Sequence, residues 1–212
     1  MNANPTSILD QLAHHRLVPV IALQQAAQAD PLASALVSGG LPVAEVTFRT
    51  AAAADSIRAM AARGDLLVGA GTVLTTAQVD EARQAGAKFI VSPGFNPKVV
   101  QHCLDSGLAI IPGVSNPTDI EMALAHGLDV VKFFPAEAFG GLKTLRAISA
   151  PYGNVRFVPT GGISPANVVD YLAIPKVLAC GGSWMVKSDL FADGDFAAVE
   201  QAVREAVALV RK

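Results

Sequence analysis

Short apolar runs alternate with helical patterns along almost all of this 212-residue chain. Between the runs, apolar residues recur at spacings of three and four, which is the period of a helix with one buried face. Strands that alternate with helices pair in parallel, so eight such units predict an α/β fold, a (β/α)8 TIM barrel, rather than an open doubly wound sheet. The predicted strands are residues 18–23, 43–48, 66–71, 89–92, 109–112, 130–134, 156–160 and 177–180, and the helical patterns cover residues 51–62, 76–85, 97–105, 117–125, 142–148 and 165–172.

Prolines mark several predicted helix starts. Each of four prolines follows a residue that can cap a helix, and proline itself suits the first helical turn. The pairs are Asp30-Pro31, Asn96-Pro97, Asn116-Pro117 and Ser164-Pro165. An extra N-terminal helix over residues 8–14 is expected to cover the bottom of the barrel, and a final amphipathic helix is expected over residues 196–210. No linker pattern interrupts this order, so residues 1–212 are predicted to form a single barrel domain.

Composition narrows the class of function. Charged residues make up 16% of the chain and the net charge is −2, which argues against a nucleic-acid surface. Cys103 and Cys180 lie far apart and are interpreted as buried thiols in a reducing compartment. No metal-ligand spacing is present among His14, His15, His102 and His126, so no metal site is expected. The chain shows no signal-peptide pattern and no apolar run of bilayer-spanning length, which favours a cytoplasmic protein.

One lysine stands inside an apolar run of strand length. Lys132 occupies the middle of Val130-Val131-Lys132-Phe133-Phe134. An ammonium group in such a run has to be desolvated, which favours the neutral amine. A neutral lysine is a nucleophile that can attack a carbonyl carbon and form a Schiff base. A lysine whose stem is buried while its ammonium group reaches water would show the same pattern. The residues at the other strand ends are therefore needed to distinguish the two interpretations.

Polar or glycine-rich segments follow most of the predicted strands. They cover residues 45–50, 69–73, 92–94, 112–115, 132–137, 159–163 and 181–183. In a parallel barrel these ends lie on one face, where functional groups collect. Side-chain alternation puts Glu45, Thr47 and Arg49 on one side of their strand, and we expect Glu45 and Arg49 to face the barrel interior near Lys132. A purely structural pairing of Glu45 with Arg49 is the alternative, since buried charges usually find partners.

Chemistry suggests a role for each group. Glu45 is a candidate proton carrier, the planar fork of Arg49 suits a carboxylate, and Thr72 could add a hydroxyl to that carboxylate. Glycine pairs follow predicted strands seven and eight, at residues 161–162 and 181–182. Loops at these positions commonly bind phosphate in such barrels, because glycine lets backbone N–H groups approach the oxygens. Either pair alone could also be an ordinary tight turn.

Taken together, these motifs resemble the bacterial 2-keto-3-deoxy-6-phosphogluconate (KDPG) aldolases. Those enzymes are class I aldolases, which often also act on 4-hydroxy-2-oxoglutarate (KHG). The resemblance extends from about residue 18 to the C-terminal helix. It is carried by residues 45–50, 69–73, 92–94, 132–137, 159–167 and 181–184, which occur in the order of the family motifs.

The resemblance implies that Lys132 forms the imine and that Glu45 is the catalytic acid and base. Arg49 and Thr72 would hold the pyruvate carboxylate, and Thr160 would discriminate between substrates. The other predicted substrate-binding residues are Phe134, Pro93, Gly161, Gly162, Gly182 and Ser183. The family also implies a homotrimer, no metal and no organic cofactor.

Three other functions fit parts of the pattern. A sister aldolase for the galactonate stereoisomer would share Lys132 and Glu45, and Thr160 is the reason to prefer the gluconate form. A sugar-phosphate epimerase or isomerase would explain the glycine loops but gives Lys132 no covalent role. A protein that senses a phosphorylated metabolite would bind ligand without releasing pyruvate. The role of Glu137 is open, since it could orient a loop or a neighbour rather than take part in the chemistry.

Overall fold

Parallel strands line the inside of the fold, and the polar motifs begin where these strands end. The computed structural model describes residues 7–211. Its strands are β1 (Leu17–Ile21), β2 (Val43–Thr47), β3 (Leu67–Gly71), β4 (Phe89–Val91), β5 (Ala109–Ile111), β6 (Gly113–Val114), β7 (Val130–Phe133), β8 (Arg156–Phe157) and β9 (Cys180–Gly182). All residues of β2 and β7 are buried, which is typical of a parallel sheet covered by helices.

Helices separate the strands along the chain and cover the outside of the sheet. They are α1 (Ile8–His15), α2 (Ala29–Ser38), α3 (Ala53–Arg63), α4 (Thr76–Gln84), α5 (Pro97–Asp105), α6 (Pro117–Ala125), α7 (Gly141–Ser149), α8 (Val168–Leu172) and α9 (Ala197–Val210). Short 3-10 turns occur at Ala26–Gln28, Trp184–Val186 and Ser188–Phe191. The molecule is therefore an α/β fold with a curled parallel sheet, as the alternation of patterns predicts.

The sheet consists of two ladders that meet at two junctions. One ladder has the order β5-β4-β3-β2-β1-β9, and the other has the order β6-β7-β8. At the first junction, only Pro112 separates β5 from β6. At the second junction, isolated parallel bridges join Phe157 to Val177 and Thr160 to Gly181. The carboxyl ends of β2, β7 and β9 consequently lie at the same end of the sheet.

Five of the predicted strands agree with the structure to within two residues at each end, and the other three differ more. The strand predicted at 109–112 continues past its predicted end but is interrupted at Pro112, whose nitrogen has no hydrogen to donate. The strand predicted at 156–160 ends at Phe157, and Thr160 forms only an isolated bridge. The strand predicted at 177–180 begins three residues later, because Cys180–Gly182 is the segment that pairs with β1.

Two of the four predicted helix caps are confirmed. The side chains of Asn96 and Asn116 accept hydrogen bonds from the backbone of α5 and α6, each at 3.1 Å. The prediction at Asp30 is wrong, because α2 begins at Ala29 and the Asp30 carboxylate pairs with Arg63 at 2.6 Å. The prediction at Ser164 is also wrong, because α8 begins only at Val168 after a turn.

The N-terminal helix α1 lies at the amino ends of the strands, as predicted. Ile8 and His15 of this helix share a cavity of about 450 Å³ with Pro42, Leu67 and Lys88, which precede or begin β2, β3 and β4. Within residues 7–211, no helix combines the length and the apolar character needed to cross a bilayer. The signal-peptide prediction concerns residues 1–6, which lie outside the described part of the chain.

Candidate active site

A buried ion pair lies at the carboxyl ends of β2 and β7. Lys132 Nζ is 3.3 Å from Glu45 Oε1, and the two side chains are 7% and 3% exposed. The two residues come from strands that are 87 positions apart in sequence. At this distance a proton can pass directly between the amine and the carboxylate. The pair can therefore supply both a neutral amine and a carboxyl that holds a proton.

The backbone around this pair leaves room for the Glu45 carboxylate. Gly71 ends β3 beside β2, and a Cβ at this position would lie 2.3 Å from Glu45 Oε1. Only a residue without a side chain fits there while Glu45 keeps its position. On the other side, the backbone N–H of Lys132 donates to Pro112 O at 2.8 Å, which fixes the register of β7 against β6.

A cavity of about 420 Å³ lies at the same end of the sheet, next to the ion pair. The ring of Phe134 lines this cavity, and its centroid is 5.1 Å from Lys132 Nζ. The cavity brings together most of the predicted substrate-binding residues. These are Arg49, Phe134, Thr160, Gly161, Gly162, Gly182 and Ser183. Lys132 and Glu45 do not line the cavity themselves, and Phe134 is the lining residue next to the amine.

Arg49 differs from its prediction. It was predicted to face the interior of the barrel, but β2 ends at Thr47, so the alternation of the strand does not extend to Arg49. Arg49 is exposed at the cavity, and its Nε donates to Thr47 Oγ1 at 3.0 Å. The Thr47 hydroxyl in turn donates to Ile21 O at 2.7 Å. The structural pairing of Glu45 with Arg49 is excluded, because Glu45 pairs with Lys132 and Arg49 has no ion-pair partner within residues 7–211.

Thr72 and Pro93 lie outside the residues that line the cavity. Thr72 directly follows β3 with a φ of 56°, which is an unusual conformation for a β-branched residue. Backbone strain of this kind clusters at functional sites. Pro93 follows β4, and its carbonyl oxygen would lie 2.1 Å from a Cβ at Gly113, so these two segments pack backbone to backbone.

The loops after β8 and β9 contain backbone N–H groups without hydrogen-bond partners. Gly161 and Gly162 have φ values of 96° and 81° and are followed by Ile163. Within residues 7–211, the N–H groups of Gly161, Gly162, Ile163 and Ser183 donate no hydrogen bond. All four residues line the cavity. Such a group of free donors suits an anion with several oxygens, such as a phosphate.

Comparisons with known proteins identify the family of the chain. Residues 8–202 match the family model of the KDPG and KHG aldolases. The chain belongs to this aldolase family. Its members are carbon–carbon lyases, so the resemblance recognised in the motifs is confirmed.

Individual relatives match over nearly their whole length. The 2-dehydro-3-deoxy-phosphogluconate aldolase of Treponema pallidum is 51% identical over 205 residues, which cover 96% of this chain and 98% of that protein. The KHG/KDPG aldolase of Escherichia coli K12 is 47% identical and covers 90% of each chain. The crystal structure of the Legionella pneumophila KDPG aldolase, with pyruvate captured as a covalent carbinolamine, has a TM-score of 0.90 at 36% identity and covers 94% of this chain and 98% of that one.

The aldolase cavity also contains residues that the sequence did not reveal. Lys187 lies between the two 3-10 turns that follow β9, and Ser188 and Asp189 begin the second turn; all three line the cavity. Lys187 is exposed and has no ion-pair partner among the described residues. The signal that could have indicated it is a basic residue four positions after Ser183, at the end of a polar strand-end motif.

The two cysteines of the chain are buried, free thiols. Cys103 and Cys180 are fully buried and free, as predicted from the sequence. Burial raises the pKa of each thiol from 9.0 to about 12, so both remain protonated at neutral pH. Within residues 7–211, no group of three or more His, Cys, Asp or Glu side chains is arranged to hold a metal ion.

Proposed function

We propose that this chain is a class I aldolase that cleaves KDPG to pyruvate and glyceraldehyde 3-phosphate through an imine on Lys132, and that it also cleaves KHG to pyruvate and glyoxylate. The observation that carries the proposal is the 3.3 Å contact between the buried Lys132 amine and the Glu45 carboxylate, beside a cavity with free backbone donors. An epimerase or a binding protein has no use for such an amine.

The first half of the reaction forms the imine. Glu45 takes a proton from Lys132, and the neutral amine attacks the C2 ketone of the substrate to give a carbinolamine. Glu45 then returns a proton to the departing hydroxyl, which leaves as water. The product is a protonated imine, whose positive nitrogen can accept the electron pair of a breaking bond. The ring of Phe134 lies 5.1 Å from Nζ, where its π-face can stabilise the positive charge of the imine.

The second half breaks the C3–C4 bond. Glu45, directly or through one water, takes the proton of the C4 hydroxyl, and the C3–C4 electron pair moves into the imine to form an enamine. Glyceraldehyde 3-phosphate leaves. Glu45 then donates its proton to C3 of the enamine, and addition of water to the resulting imine releases pyruvate and regenerates the amine. One carboxylate thus acts in turn as base and acid.

The two charged ends of the substrate have separate binding groups in this proposal. Arg49 and Thr72 hold the pyruvate carboxylate, and a hydrogen bond from Nε to the Thr47 hydroxyl orients the Arg49 guanidinium. The free N–H groups of residues 161–163 and 183 hold the phosphate. Thr160 lies between these regions, buried next to Gly181, and discriminates at the C4 hydroxyl.

The proposal includes the wider architecture. If β5 and β6 are counted as one strand interrupted at Pro112, the segments number eight, and the bridges between the β8 and β9 regions support closure into a single (β/α)8 barrel domain.

A homotrimer follows from the family resemblance and is supported by exposed apolar side chains such as Leu74 and Phe139, at 52% and 50% exposure. Light scattering should give about three times the chain mass of 21.9 kDa. Two free thiols are consistent with a cytoplasmic location.

Reductive trapping tests the proposal directly. The protein is incubated with pyruvate and borohydride, and the modified peptide is mapped by mass spectrometry. We expect the label on Lys132 and no turnover in Lys132→Ala. A label elsewhere, or normal KDPG cleavage by Lys132→Ala, would contradict the proposed nucleophile. Cleavage rates on the gluconate and galactonate isomers decide between the two aldolase specificities.

A further inference from the structure

Glu137 and Tyr171 form a hydrogen-bonded pair behind the glycine loop that follows β8. The Tyr171 hydroxyl donates to Glu137 Oε1 and joins segments 34 residues apart. Tyr171 lies in α8 and is fully buried, whereas Glu137 lies in the exposed turn after β7. Neither residue lines the cavity. Any effect of this pair on a bound ligand has to act through the backbone between them.

Glu137 is in direct contact with that glycine loop. Its backbone N–H donates to Gly161 O at 3.0 Å. A Cβ at Gly162 would lie 2.6 Å from both Cβ and Cγ of Glu137, so the loop backbone packs against the stem of this side chain. Gly162 has a φ of 81°, a conformation that favours glycine. The position of Glu137 thus determines where the loop can lie.

The start of α7 closes the other side of the pair. A Cβ at Gly141 would lie 2.8 Å from Glu137 Oε1 and 3.2 Å from the Tyr171 hydroxyl. The backbone N–H of Gly141 also donates to Ala136 O at 2.9 Å. The carboxylate is therefore enclosed between α7, α8 and the glycine loop, although the residue as a whole is exposed.

The Tyr171 hydroxyl keeps its proton at neutral pH. Burial, and to a smaller extent the hydrogen bond to Glu137, raise the pKa of Tyr171 well above its ordinary value of 10.0. The phenol therefore remains available as the donor of this hydrogen bond.

We propose that the Tyr171–Glu137 pair is a positioning device that holds the Gly161–Gly162 loop in the conformation that presents its N–H groups to the substrate phosphate. This inference rests on the proposed function and adds to it two residues that do not touch the substrate. The pair should then matter for the phosphorylated end of the substrate and not for chemistry at Lys132.

Two measurements separate these effects. The first is kcat and KM for KDPG, with released pyruvate coupled to lactate dehydrogenase. The second is deuterium uptake by the methyl group of pyruvate in D2O, followed by NMR, which needs the imine and the enamine but no phosphate. For Tyr171→Phe we expect KM for KDPG to rise about three- to tenfold, as for the loss of one hydrogen bond, with kcat and deuterium uptake within about twofold of the parent.

The chain offers matched controls. Tyr152 is its other tyrosine and donates to Glu121 at 3.2 Å, away from the glycine loops, so Tyr152→Phe removes a similar bond and should leave KM unchanged. At position 137, Glu137→Gln keeps an acceptor oxygen and should retain the parent KM, while Glu137→Ala should raise KM as Tyr171→Phe does. Because Glu137 is exposed, its variants still test the pair if the variant at the buried Tyr171 does not fold.

The outcomes are distinguishable. An unchanged KM in both Tyr171→Phe and Glu137→Ala would overturn the inference. A fall in deuterium uptake as large as the fall in kcat/KM for KDPG would also overturn it, because it would indicate general damage to the site. If the parent protein neither cleaves KDPG nor exchanges the pyruvate protons, the proposed function itself fails, before the pair is tested.

Discussion

Gly71 lies directly against the Glu45 carboxylate, so its replacement by alanine tests whether that carboxylate has to stay in place. A Cβ at position 71 would lie 2.3 Å from Oε1, 2.7 Å from Cγ and 2.9 Å from Cδ of Glu45. Non-bonded heavy atoms settle at about 3.5 Å, so Glu45 has to move by about 1 Å, and its contact with Lys132 changes. Because misplacement by about 1 Å can lower a rate about 10²-fold, we expect kcat for KDPG to fall by about that factor.

The coupled pyruvate assay measures this effect, and borohydride trapping checks that Lys132 still forms the imine. Gly71 has no left-handed backbone conformation, so the alanine adds a steric contact without backbone strain. Gly153→Ala is the matched control, because a Cβ there meets no atom within 4 Å, and its kcat should stay within about twofold of the parent. If folded Gly71→Ala keeps the parent kcat, the position of Glu45 does not limit the reaction and its acid–base role is refuted.

Three further predictions follow, two for the site and one for the buried thiols. Glu45→Gln should lower kcat by about 10²–10⁴-fold in the coupled assay, and a loss of less than a few-fold would remove Glu45 from proton transfer. Lys187→Gln should raise KM for KDPG about two- to tenfold, because the cavity loses an unpaired cation, while Lys88→Gln at the amino end of β4 should not. Because burial raises the pKa of the Cys103 and Cys180 thiols from 9.0 to about 12, the folded state holds its thiol protons more tightly than the unfolded state. Stability should therefore fall as pH rises from 9 towards 12, and Cys103→Ala should show a shallower fall in the free energy of unfolding over that range; an equally steep fall would contradict the assignment.

The sequence predicts the central pair of the site because local patterns are sufficient for it. An apolar run around Lys132 and the alternation of β2 at Glu45 each put a charged residue inside the sheet. The parallel topology then brings both strand ends to one face. The 3.3 Å contact confirms that the two side chains meet, although their catalytic roles remain predictions.

Prediction from the sequence fails for residues that lie outside regular strands and helices. Arg49 follows the end of β2, so strand alternation no longer describes its direction. Lys187 reaches the cavity through two short 3-10 turns that have no periodic pattern. The contact between Gly71 and Glu45 is likewise invisible, because it depends on the register between neighbouring strands. The shift of β9 has the same origin, since Val177 and Leu178 are apolar enough for a strand but it is Cys180–Gly182 that pairs with β1.

The junction between the β8 and β9 regions has a consequence for the response of the protein to its ligand. There the sheet is held by isolated bridges instead of a continuous ladder. The free N–H groups come from both sides of this seam, from residues 161–163 on one edge and from Ser183 on the other. In the proposed binding mode, a phosphate would accept hydrogen bonds from both edges of this junction, so that ligand binding and strengthening of the sheet would be a single equilibrium.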